Sequence, residues 1–132
     1  MNLTPGAMWD QKTGDGAKGA GTREAQSVVE TMLQQHPAAW SHPGLLHLYV
    51  HLMEMSPTPE KALRAGDVLR SLVPDAGHLI HMPTHIDVQC GNYQDVLYWN
   101  SKATQVDRKA LDDFGIYTVY TGYRIHNYHF AV

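Results

Sequence analysis

A chain of 132 residues carries one domain's worth of sequence, and 43% apolar against 17% charged residues is the composition of an ordinary globular fold, with no apolar run long enough to span a bilayer. Ten Lys plus Arg against 13 Asp plus Glu leave a net charge of −3 without a basic stripe, which argues against a nucleic-acid partner. The single Cys90 excludes an internal disulfide framework and a multi-cysteine zinc site, and residues 1–20 lack the pattern of a secretion signal, so the expected location is the cytoplasm.

Residues 1–21 crowd Gly14, Gly16, Gly19 and Gly21 together and are expected to form a flexible segment, anchored by Trp9-Asp10, ahead of a helical domain over 22–132. Thr22 can cap a helix over 23–35, where Ala25, Val28, Val29, Met32 and Leu33 form one apolar stripe and Pro37 forbids continuation. Pro43-Gly44 precede a second helix over 45–55, closed by Ser56-Pro57-Thr58-Pro59, and a third runs from about 60 to 72 and stops at Pro74. A fourth spans about 78–90, with Pro83 requiring either a start near Met82 or a kink, and Gly91-Asn92 turns the chain into a fifth over 94–111. A connection over 112–124, carrying Tyr117, Tyr120 and Tyr123 as a candidate roof, leads to the start of a sixth over 125–132. Strand signals are lacking, so the expected class is all-α.

Nine histidines depart from ordinary composition, and seven of them sit at helical spacing. His47 and His51 are four apart and Glu54 follows three later, so one helical face offers two imidazoles and a carboxylate, a donor set used for zinc and non-haem iron. His78, His81 and His85 share a second face; His126 and His129 share a third. Any one such histidine is most often a hydrogen-bonded core residue, and Glu54 by itself most often a solvated carboxylate. Several close imidazoles buried without a cation or acceptors are another matter, because each ring nitrogen must be satisfied. Met53, Met55 and Met82 read as core filler, although Met with His keeps copper in play; Cys90 reads as a small buried hydrophobe. Leu48 and Met82 stand where the His-Glu-x-x-His of a zinc peptidase would place glutamate, which disfavours that chemistry.

Shifting the chain by 34 residues lays Leu45 on Leu79, His47 on His81, His51 on His85 and Leu63 on Leu97. With Gly91, Tyr93 and Ala103 in one unit and Ala62, Gly66 and Pro74 in the other, the pattern resembles the tetratricopeptide repeat. Within that family it is similar to a His-rich branch with His-Met-Pro-x-His and His-Asn-x-His-Phe segments, here at 81–85 and 126–130, to which no reaction is assigned. The resemblance implies antiparallel helix pairs stacked as a right-handed solenoid, incomplete at both ends, with repeats at about 43–76 and 77–110 and a concave surface lined by the first helix of each pair. On that surface His47, His51, His81 and His85 are expected to converge on one divalent metal, zinc or iron before copper, helped by His129. Glu54 would be ligand or catalytic base, and His78 and His126 are further candidates. The alternative is a scaffold that grips a peptide or small molecule without metal, with self-association through uncapped end repeats.

Overall fold

The computed structural model describes residues 7–131. Among them the regular structure is helical: α1 Thr22–Gln35, α2 Pro43–Met53, α3 Leu63–Leu72, α4 Gly77–His81, α5 Thr84–Cys90, α6 Tyr93–Phe114 and α7 Val119–Phe130, with short 3-10 turns at Pro37–Ser41 and Pro59–Ala62. An isolated bridge between Trp9 and Gly16 is the one extended pairing among these residues. The all-α expectation therefore holds. No described helix is long and apolar enough to cross a membrane.

The expected helices lie close to their places, and each difference has a local cause. The third begins as a 3-10 turn behind Pro59, so α3 proper starts at Leu63. The fourth divides at Pro83, which has no N–H to give the carbonyl of Leu79. The Thr84 hydroxyl donates to the His81 carbonyl across the break at 2.7 Å. Gly91 adopts the left-handed conformation (φ 79°) that ends α5. The long connection expected over 112–124 is a correction: α6 continues to Phe114, Gly115 (φ 82°) turns the chain, and α7 already begins at Val119. Tyrosines and Gly122 are weak helix formers, so the first turns of α7 gave little signal by propensity. Met1–Gly6 of the expected flexible segment, and Val132, lie outside the described residues.

Residues 7–21 are pinned to the helices by Trp9, which is buried and whose Nε1 donates to the Leu52 carbonyl at 2.6 Å, while the Thr22 hydroxyl donates to the carbonyl of buried Met8. Trp9→Ala should therefore cost about 3–5 kcal/mol, as large aromatic truncations in cores do. It should also open residues 7–21 to protease; an unchanged urea midpoint would show that the indole anchors nothing.

One apolar core runs through α1, α2, α3 and α5, with Leu46, Val50, Leu52, Met53, Ala62, Ala65, Leu69, Met82 and Ile86 almost wholly buried. Two glycines let the helices come this close. A Cβ on Gly66 would stand 2.9 Å from the Pro83 Cβ, which seats α3 against the α4–α5 break. A Cβ on Gly77 would collide with the Asp107 carboxylate and lie 2.8 Å from the Ala103 carbonyl, so α4 rests directly on α6. Arg70 on α3 donates to Asp87 on α5 at 2.9 Å and lies over the Trp99 ring of α6, which fixes α3, α5 and α6 together. Cys90 is half-buried against the same core.

Candidate metal centre

Packing on one face of α2 buries Leu46, Tyr49, Val50 and Met53, which leaves His47 and His51 half-buried on another face, beside α4 and α5. The break at Pro83 sets His78 and His81 on α4 and His85 on α5, and α7 brings His126 from a further element. The rings form a continuous cluster: centroids are 4.7 Å apart for His47 and His51, 5.1 Å for His47 and His78, 4.9 Å for His81 and His85, and 4.6 Å for His81 and His126.

The four histidines expected around one ion do not form one ligand group. Two triads form instead, His47 with His51 and His78, and His81 with His85 and His126, and in each the candidate ligand nitrogens lie within 4.8 Å of one another. Either triad could hold a metal ion. The two sets adjoin, with ring centroids 6.2 Å apart for His78 and His81 and 6.4 Å for His51 and His85. His129 is exposed and belongs to neither group. Of the tyrosine roof, Tyr123 stacks on His78 at 4.6 Å, Tyr120 packs on Phe114, and Tyr117 is 98% exposed.

Glu54 lies beside His51, where spacing placed it, and also reaches His85 of α5. Glu54 caps α2 in helical conformation, its N–H still bonded to the Val50 carbonyl; it is buried, and its two oxygens are shared out: His51 Nδ1 donates to Oε1 at 2.9 Å and His85 Nδ1 to Oε2 at 2.5 Å. Burial would raise this carboxyl, but the hydrogen bonds and charges of His51 and His85 outweigh it and hold it at about 2. Each oxygen accepts from a different imidazole, so Glu54 fixes the orientation of two rings, as carboxylates behind metal-binding histidines do.

On the other side of the cluster, Asn100 of α6 is wholly buried and its Nδ2 donates to the Val96 carbonyl and to the Thr84 hydroxyl. That orients its Oδ1 toward His81 Nδ1, which donates to it at 2.6 Å. Asn100 was not among the sequence candidates. Its signal was there, since Val96, Asn100, Ala103 and Asp107 are all buried along α6 and two of the four are polar.

The hydrogen bonds fix the tautomers. With Nδ1 of His81 given to Asn100 and Nδ1 of His85 given to Glu54, the two rings turn their Nε2 atoms toward each other, and those atoms are 3.0 Å apart. Two lone pairs at that distance need a positive centre between them, a proton or a metal. Neighbouring nitrogens on one tetrahedral zinc ion, each at about 2.0–2.1 Å from it, are about 3.3–3.4 Å apart, so these two rings need part by only a few tenths of an ångström to share one.

In the other triad His47 Nε2 and His78 Nδ1 are buried and find no hydrogen-bond partner among the described residues. Burial, followed by the charges of neighbouring histidines, lowers His47 and His78 to about 4. Burial lowers His81 to about 3 despite its bond to Asn100. These imidazoles are neutral at pH 7 and available as ligands.

Fold and cluster together define an all-α protein with two three-histidine sets that could hold a metal ion. Comparison with protein-family models, with curated proteins and with solved structures gives no match.

Proposed function

We propose that this protein binds a divalent transition metal, zinc before iron or copper, through His81, His85 and His126. The observation that carries this reading is the pair of Nε2 atoms facing each other at 3.0 Å with both Nδ1 positions already spent on Asn100 and Glu54. Zinc is favoured by the donor set. Three imidazoles with positions left over are a catalytic zinc composition, whereas the two-histidine, one-carboxylate set of non-haem iron needs a carboxylate ligand and Glu54 is engaged behind the rings. Copper loses its thioether support, because Met53 and Met82 lie in the apolar core. A zinc ion with open positions supplies Lewis acidity and an acidified bound water, so a hydrolytic or hydration reaction on a small molecule is the activity we assign to this site.

The competing reading, imidazoles gripping an acidic peptide, requires protonated rings at neutral pH; burial of His47, His78 and His81 works against it. For the architecture we propose a tetratricopeptide-like stack: α2 opens at Pro43 and α4 at Gly77, one repeat length of 34 residues apart, and each opens a unit whose next long helix packs against it.

Dialysis against Zn²⁺ followed by elemental analysis and a thermal melt tests the metal reading. The protein should retain zinc and gain about 4 kcal/mol of stability at a free concentration 1,000 times Kd. His81→Ala with His85→Ala should lose the ion held there. Wild-type protein that keeps no zinc and melts unchanged would refute the assignment.

A further inference from the structure

We propose that the cluster is a dinuclear centre, with a second divalent ion on His47, His51 and His78 and Glu54 as the one carboxylate that orients a ligand of each ion. This rests on the metal reading above and extends it from one triad to both.

Three observations meet here. The His47, His51 and His78 set brings its candidate ligand nitrogens within the same 4.8 Å as its neighbour, and two of its nitrogens, His47 Nε2 and His78 Nδ1, are buried with no partner among the described residues. The triads adjoin, with His78 beside His81 and His51 beside His85. Glu54 joins them chemically, because His51 belongs to one triad and His85 to the other, and each gives its Nδ1 proton to a different oxygen of the same carboxylate. Each of those rings is therefore left with Nε2 as the nitrogen that can take an ion. The arrangement also answers repulsion between two dications, since a buried negative charge lies behind both.

The joint role of Glu54 has a sharp chemical consequence. In Glu54→Gln the amide has one oxygen and one NH₂. Only one of the two histidines can still donate its Nδ1 proton; the other meets a donor, must move its proton to Nε2, and loses its ligand atom. Asn100, by contrast, bonds one histidine of the cluster, His81, so Asn100→Ala acts on one triad alone.

Equilibrium dialysis of the full chain against Zn²⁺, read as ions per chain with far-UV circular dichroism to establish folding, tests the proposal. Wild type should hold two ions. His47→Ala with His78→Ala should hold one, and His81→Ala with His126→Ala should hold one. Glu54→Gln should weaken at least one binding step by about 10–100-fold and alter the other, while Asn100→Ala weakens one step only. Independently of any variant, the electron paramagnetic resonance signal of wild type with one equivalent of Cu²⁺ should broaden or fall when the second equivalent binds beside it. A single ion per chain, lost from either double variant, overturns the dinuclear centre and leaves the metal site standing. No ion in wild type overturns both. Two ions with both affinities unmoved by Glu54→Gln overturns the shared carboxylate.

Discussion

Gly77→Ala is expected to cost about 3 kcal/mol or more, enough to leave much of the protein unfolded near body temperature. A methyl at that position would meet two groups that have no room to retreat. One is the Ala103 carbonyl at 2.8 Å, part of the backbone of α6; the other is the Asp107 carboxylate, held by the Asn127 amide, which donates to it at 2.7 Å. The clash can be relieved only by lifting α4 off α6, and α4 carries His78 and His81. Gly122→Ala on α7 is the control. Nothing lies within 4 Å of its added Cβ, so the same substitution there should stabilise by about 0.5–1 kcal/mol through helix propensity. Urea midpoints that move together for the two variants would show that the close approach of α4 and α6 is not what makes Gly77 necessary.

Acid should destabilise the metal-free protein well above the usual carboxylate range. An unfolded histidine takes up its proton near 6.5, whereas folding holds His47 and His78 to about 4 and His81 to about 3, chiefly by burial. Between those values the unfolded state binds more protons, so stability is complete above pH 6.5 and falls as the solution is acidified toward 4. Asp107 acts oppositely. Burial raises it from 3.8 to about 6, which means acidification through that window favours the folded form. Three histidines outweigh one carboxyl, and each net proton is worth about 1.4 kcal/mol per pH unit. The loss from pH 7 to pH 5 in the presence of EDTA should therefore exceed about 2 kcal/mol, read from urea unfolding at each pH. Stability that is flat or rising over that interval would mean the imidazoles are not buried neutral.

Much of this arrangement is legible in the residues. The stripe of α1 and the prolines at 37, 43, 59 and 74 mark helix limits because apolar period and missing N–H groups act locally. The 34-residue overlay likewise places His47, His51, His81 and His85 in matching positions. What spacing within a helix cannot supply is the partner across helices. His78 joins His47 and His51, and His126 joins His81 and His85, only because the fold brings the His78 ring of α4 to the His47 ring of α2 and packs α7 near α4. Glu54 shows the same limit. Its place on the His47 and His51 face is a matter of counting, but its bond to His85 depends on α5 packing beside the end of α2.

The third nitrogen of the His81 set comes from α7, a helix in which Asn127 alone is fully buried. A segment with so little apolar surface hidden is expected to open at lower free energy than the core helices. Exchange of an ion at that set would consequently follow how often this helix lifts, a rate set by packing at Asn127 and Phe130 and not by the bond strength of imidazole to metal.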